Sequence, residues 1–494
     1  MADPKPETAT SPTPDAPGAA DAAPVPVPAR GLVGNAWSQA RLAIALVRLR
    51  PFETETPHGR SSERYRRIAL TTISSFAVRG VGTLVGLVTV PLVLAYLGKE
   101  RFGLWSTITT VVAWVALFDL GIANGLVNLV SRAHGRDDQD AAGRYVSTAM
   151  ALLLGIAAVL ALAIAVAGPL VPWSAVLAVR GAVDEATVRW SVIAALGTLV
   201  VGMPLSVTPQ IYAGYQRSYV TNAFAIAGTL AGFAALLLAI RGGAGMPALV
   251  VTFGIGGLLA SAAGLAYAFG SMPWLRFRVS AVSRDAVRGV MSRSFPLFLF
   301  QIGALAVNET QAIVLAHRCN LSVVADYSIL MRLYLLAMSL IQASTASFVP
   351  SFREAHERRD VAWMHASFRN FVRVRMLLAT CAAIGLALLG NVLLRVWLRR
   401  SDVAFEPHVW GAVAVVMVAV TFATAHAELL SIMDRLWLPV ALVAVNGTAT
   451  VALTYWLAPV LGVFGAVLGY GAVAVVLYTW IVPWAARTLV LRVS

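Results

Sequence analysis

Apolar runs long enough to cross a bilayer recur along the whole chain, and this one feature restricts the fold more than any other. About twelve stand out, each of about 20 residues or more. They lie near residues 68–97, 102–130, 145–168, 188–213, 219–240, 247–270, 293–317, 323–350, 371–397, 408–432, 436–457 and 460–485. Hydrophobic residues make up 59% of the 494 positions and charged ones 13%, a balance that a soluble protein of this size rarely shows. The expected class is an all-α polytopic membrane protein.

The net charge of +14 invites a nucleic-acid reading, but its placement argues against one. Arginine dominates, and it collects in alternate loops. Arg60, Arg64, Arg66 and Arg67 precede the first run, and Arg132, Arg136 and Arg144 follow the second. Further groups occupy 271–292 and the stretch from Arg353 to Arg375, while the intervening loops carry few. Basic residues mark cytoplasmic loops, so both termini are expected inside, with an even number of spans. No nucleic-acid partner is needed to explain the charge.

Residues 1–30 are rich in Pro and Ala, cannot build a core, and are expected to form a disordered cytoplasmic tail. No apolar signal core lies near Met1. Residues 31–67 mix apolar and basic side chains at helical spacing and suit a juxtamembrane segment on the inner leaflet. An N-terminal six-helix lobe over 68–270, a basic cytoplasmic linker over 271–292 and a C-terminal six-helix lobe with a short tail over 293–494 complete the expected organisation.

Phe102 to Thr148 reads FGLWSTITTVVAWVALFDLGIANGLVNLVSRAHGRDDQDAAGRYVST. It starts as a span, then carries Asp119 and the small, polar run Gly121–Gly125, and ends in basic residues. A carboxylate within a span costs about 2.5–3.5 kcal/mol on insertion scales and usually faces a bundle interior or a wet cavity. The stretch resembles the second span and following loop of the polysaccharide transporter (Wzx-type) flippases. Their superfamily of multidrug, oligosaccharidyl-lipid and polysaccharide exporters also holds the lipid II flippases and the multidrug and toxin extruders.

An internal repeat supports two like-oriented halves. An offset of 222 residues puts Trp105 on Tyr327, Ser106 on Ser328, and the Asp119–Gly125 run on the small, polar 341–347. Each half holds an even number of spans, so a parallel pseudo-two-fold repeat is expected, with the substrate path between the lobes. Polar residues inside spans are the candidates for lining it. Arg79 lies about a third of the way into the first span beside Gly80, Gly82 and Gly86, whose spacing suggests close helix packing or bending. Arg332, in the eighth, is the stronger cavity cation. Asn308 and Gln311 share a face of the seventh span with Gln301, and Asn124 sits in the run after Asp119.

Asp119, Glu309, Asp326 and Glu428 are the ion-coupling candidates, and His426 also interrupts the tenth span. Single amides such as Asn391 and Asn446 suit hydrogen bonds between helices. The many Trp residues read mostly as an aromatic belt rather than a substrate platform. Cys319 and Cys381 form no metal cluster or disulfide framework and read as small apolar residues.

In the family that the chain resembles, the cargo is a polyprenyl-diphosphate-linked sugar. The resemblance implies that Arg79 and Arg332 hold the diphosphate, for which the planar guanidinium is well shaped. The implied role is flipping an O-antigen, capsule or exopolysaccharide repeat unit across the bacterial inner membrane by alternating access. Its partners are the lipid-linked anionic glycan, the bilayer, and a glycan polymerase or glycosyltransferases of the same pathway. A cation-coupled multidrug exporter shares the architecture, and a membrane-embedded glycan polymerase is a further alternative. No P-loop or HExxH motif and no triad on soluble loops is present, so neither a cofactor nor enzymatic activity is expected.

The charge pattern sets a topology test. Reporter fusions after Arg136, Arg284 and Arg358 are all expected to read cytoplasmic, and a periplasmic reading at any of them excludes this layout.

Overall fold

In a bilayer core every backbone N–H and C=O needs a partner within the protein, and helices supply it locally. Every regular element among the described residues of the computed structural model is accordingly helical. The structure describes residues 57–179, 181, 183–345, 352, 361–399, 403–432 and 437–489. The Pro/Ala-rich tail, the 31–56 part of the basic segment and the end of the small, polar repeat at 346–347 lie outside these. The described residues fall into two units, divided after Leu70. Within the first, Glu63 accepts hydrogen bonds from Arg66 at 2.7 Å and Arg67 at 2.9 Å.

Among the described residues, ten helices are long and apolar enough to cross a membrane, and the chain is a multi-pass membrane protein. The difference from the twelve expected spans has two physical causes. Val445–Trp484 forms one apolar stretch of 40 residues, about 60 Å if straight, twice the bilayer core. Gly462 divides it, with φ 56° and ψ −131° inside helix Trp437–Val473, a conformation open to glycine alone. The chain folds back there, and a Cβ at Gly469 would stand 2.3 Å from Thr454 Oγ1. The seventh crossing, by contrast, is polar and broken. Arg284–Asn308 and Thr310–Arg318 meet at Glu309, and neither reaches the apolarity of a lipid-facing span. Protein shelters it instead: it packs on the second, third and eleventh spans, with Ser294 and Gln311 fully buried.

The second crossing is also interrupted. Helix Lys99–Ala116 runs into a 3-10 turn at Leu117–Asp119 and resumes as Ile122–Gly135. Leu120 and Gly121 take positive φ (53° and 69°), and Asp119 Oδ1 accepts the Gly121 N–H at 2.8 Å. The small, polar run read from the sequence therefore begins at a helix break, turned by the Asp119 carboxylate, and continues as the first turn of the resumed helix. The fourth crossing breaks similarly, between Glu185–Gly202 and Val207–Gly214.

Glycines control how closely helices approach, though not where spacing suggested. A Cβ on Gly80, Gly82 or Gly86 would meet nothing within 4 Å. The expected close helix contact at Gly82 and Gly86 is corrected: these residues open space. Close contacts occur elsewhere. A Cβ at Gly256 would lie 2.1 Å from Gly228 O, joining the fifth and sixth spans, Ser218–Arg241 and Met246–Ser271. The second span meets the other half of the molecule in the same way. Gly103 lies against the Leu321 carbonyl, and Gly121 and Gly125 against Ser294.

These two glycine environments predict opposite outcomes. Gly256→Ala forces backbone apart and is expected to destabilise by about 1–3 kcal/mol. Gly82→Ala meets no atom and gains helix propensity, so it is expected to be neutral or stabilising by up to about 1 kcal/mol. Thermal unfolding of the two purified variants in detergent checks both.

Candidate functional site

Two cavities lie between the halves, and two side chains belong to both. The first, of about 360 Å³, is lined by Thr89, Val90 and Val93 of the first span, Phe102 to Ala113 of the second, and Phe253 of the sixth. Glu309 and Ala312 of the seventh crossing and Tyr327, Ser328, Met331, Arg332 and Leu335 of the eighth span, Leu321–Thr345, close it. The second cavity, of about 640 Å³, is lined by Phe76, Arg79, the three open glycines, Thr83, Leu84 and Leu87 of the first span. Its far wall is Arg332, Leu335, Leu336, Ser339 and Leu340, with Trp397 from the ninth span, Val361–Leu398. Arg332 and Leu335 form the common wall.

The internal repeat reappears in this geometry. Val90 and Ala312, Trp105 and Tyr327, Ser106 and Ser328, and Thr110 and Arg332 each differ by the 222-residue offset, and all eight line the smaller cavity. The repeat is chemically asymmetric at its centre, since a cation in the second half answers a threonine in the first.

Arg79 and Arg332 thus share one cavity, and neither is sealed within protein. Glu309 lines the smaller cavity with Arg332, and the two charges interact. Phe76, Leu84, Leu335 and Leu340 are exposed at the edge of the larger cavity. A gap between the first and eighth spans therefore gives apolar surroundings direct access to two guanidinium groups.

The other expected site residues are placed apart. Asn124 accepts from Gln210 Nε2 at 3.3 Å within the first half, and Gln311 is fully buried. Asp119 serves the helix break, and Asp326 pairs with Lys99 at 2.8 Å. Glu428 pairs with Arg375 at 2.8 Å, where Arg375 is 2% exposed under the Phe371 ring. None of these lines either cavity. Asn308 lies in the seventh helix, but its side chain is outside the described residues. Asn391 does join helices, bonding both backbone groups of Phe405 and Trp410 Nε1. Asn446 instead accepts from Thr450 on its own helix.

Sequence reasoning missed two tryptophans. Trp105 and Trp397 do not belong to a belt; both line cavities. Trp397 Nε1 donates to the Leu87 carbonyl at 2.6 Å, across the two halves. The signal lay four residues downstream. Pro91 has no N–H, so a proline inside this helix leaves the Leu87 oxygen without its usual donor. Lys99 and Asp326 form a second link between the halves near the same end of the first span.

A family model described as a polysaccharide biosynthesis protein matches residues 69–356. Among solved structures, an inward-facing multidrug resistance MATE family transporter of the MOP superfamily aligns with a TM-score of 0.69 at 14% identity, covering 85% of this chain and 98% of that one. The lipid II flippase MurJ in an inward closed conformation aligns at 0.66 and 12% identity, over 85% and 87% of the two chains. A MOP superfamily transporter from Pyrococcus furiosus, described as having a binding pocket of reverse polarity, aligns at 0.60 and 14%, over 86% and 96%. At these identities the likeness is one of fold. A search of curated proteins finds no match.

The proline-freed carbonyl predicts a coupling between two residues on different halves. Trp397→Phe is expected to cost about 1–3 kcal/mol of stability, because it leaves a half-buried acceptor unpaired. In a Pro91→Ala background the helix supplies its own donor, and the same change is expected to cost about 0.5–1.5 kcal/mol less. A thermal-unfolding double-mutant cycle measures this; strict additivity excludes the link.

Proposed function

The chain belongs to the polysaccharide biosynthesis protein family, and on that premise we propose that it flips a polyprenyl-diphosphate-linked oligosaccharide across the bacterial inner membrane. The cargo is an O-antigen, capsule or exopolysaccharide repeat unit, and the movement is alternating access of two lobes about the central cavities. One observation carries the reading: Arg79 and Arg332 line a single cavity that opens between the first and eighth spans.

A polyprenyl diphosphate has two incompatible ends, and this opening suits both. The tail stays in hydrocarbon beside Phe76, Leu84 and Leu340, which are exposed there. The diphosphate reaches the two guanidiniums, whose forked donors match phosphate oxygens. The glycines provide clearance where larger side chains would fill the passage. With both termini cytoplasmic, the Arg79 end of the larger cavity faces the side on which the lipid-linked unit is made, and the smaller cavity lies toward the outer face. Glu309 is then the favoured coupling carboxylate, because it lines a central cavity beside Arg332, whereas Asp326 and Glu428 line neither cavity. A cationic drug is the poorer cargo for cavities that hold two arginines and one carboxylate.

Arg79→Ala and Arg332→Ala are each expected to lower flipping of a lipid-linked oligosaccharide in proteoliposomes about tenfold or more, since a hydrogen bond to a charged group contributes about 1.5–3 kcal/mol. Lysine at either position is expected to restore only part, lacking the paired fork. Unchanged flipping by both alanine variants, with normal insertion, rules out the arginine cavity as the diphosphate site.

A further inference from the structure

A third opening lies on the second half of the molecule and shares no lining residue with either central cavity. It is a groove of about 590 Å³ between the ninth span, the tenth, Pro407–Ile432, and Thr479, just past the π-helical turn Ala474–Tyr478. The tenth span packs against both neighbours and forms the floor. Small side chains make the hollow, with Ala383 and Ala387 of the ninth span beside Ala414 and Ala419 of the tenth. No charged side chain lines the groove, and it presents only apolar surface. The Thr479 hydroxyl donates back to the Val475 carbonyl and needs no partner from an occupant. Ile384 and Val415 stand more than half exposed along it.

Such walls accept an alkyl chain, since apolar atoms without neighbours forfeit dispersion contacts and a polar occupant would find no partner. Depth identifies the leaflet. Met376 to Ala387 rises about 16 Å along the helix, the thickness of one leaflet of a core of about 30 Å. The ninth span, at 38 residues, is longer than that core requires. Counting back about 20 residues from Arg395, near its outer end, puts the inner boundary at about residue 375. Two arginines stand just beyond it. At about 100° per residue, Arg369 and Arg373 fall within the arc spanned by Met376, Thr380, Ala383, Ile384 and Ala387. Both are exposed, whereas Arg375 lies off that arc, buried and paired with Glu428. One helix face therefore carries two exposed guanidiniums at headgroup depth, directly below an apolar groove.

We propose that this groove binds an anionic phospholipid of the inner leaflet, with one acyl chain along the four alanines and the phosphate at Arg369 and Arg373. Basic side chains at the cytoplasmic end of neighbouring spans attract anionic headgroups, and the groove below them holds the chain. The lipid is a standing component of the second half and is distinct from the cargo. The site goes beyond the transport reading and shares with it only the orientation, in which the Arg369 end of the ninth span is cytoplasmic.

The test titrates the purified, delipidated full-length protein in detergent with phosphatidylglycerol or phosphatidylcholine of identical chains, and native mass spectrometry counts the lipids bound. Wild type is expected to hold one phosphatidylglycerol about tenfold or more tighter than phosphatidylcholine, with about fivefold from each arginine near the headgroup. Arg369→Gln and Arg373→Gln should each lower that preference about fivefold, and lysine at either position should keep most of it. Arg395→Gln, at the outer end of the same helix, should leave it unchanged. Ala387→Phe and Ala414→Phe fill the groove and should weaken both lipids, whereas Leu389→Phe, on the opposite, exposed face of the ninth span, should weaken neither. A preference that survives Arg369→Gln and Arg373→Gln together overturns the headgroup site. Unchanged binding by both groove-filling variants overturns the chain site. One-for-one displacement of phosphatidylglycerol by a polyprenyl diphosphate overturns the standing lipid and makes the groove part of the cargo path. The flippase reading is measured on Arg79 and Arg332 in a separate assay, so the two can fail independently.

Discussion

Hydrocarbon offers no water to a backbone group that loses its helical partner, and the fold is organised around that shortage. Each interruption of a span has its own substitute. At the second crossing, Asp119 accepts the Gly121 N–H and the helix restarts. At Pro91 the freed Leu87 carbonyl takes a donor from Trp397, on the opposite half of the molecule. The seventh crossing is too polar to face lipid and is wrapped by protein on several sides. The breaks of the second and seventh crossings and the one at Pro91 therefore fall where the halves meet, and Glu309, at the break of the seventh, lines the smaller cavity.

This arrangement explains which parts of the molecule were legible in its sequence. Spans were legible because lipid-facing helices must be apolar over their whole length, a signal that needs no neighbours. The merged Val445–Trp484 stretch shows the limit of that signal, since a single glycine conformation at Gly462 turns one apolar run into two helices. Polar residues of the seventh crossing were legible as a group. What they would touch depended on rotation about the helix axis, and only Glu309 of the expected pair of charges on that segment and its neighbour came to face Arg332.

Glycine spacing and tryptophan count were the misleading signals, for a shared reason. Gly82 and Gly86 have the same four-residue separation as Gly228 and Gly232, yet only the latter pair is in contact with another helix. Spacing says that a face is smooth, not whether a helix or a cavity lies against it. Trp105 and Trp397 likewise sit near span ends, as belt residues do, but point between the halves. The meeting of Arg79 with Arg332 had no local signature, because the residues belong to different lobes. It was accessible only through the argument that a buried cation needs a reason to be there.

Arg332 has one further consequence as a wall common to two cavities. Two compartments that share a charged partition are thermodynamically linked: whatever neutralises the guanidinium from one side changes the field felt on the other. Linkage of this kind is reciprocal, so the free energy by which an occupant of one compartment favours or disfavours its neighbour is returned in full. Occupancy of the larger cavity and occupancy of the smaller one are therefore coupled through a single guanidinium.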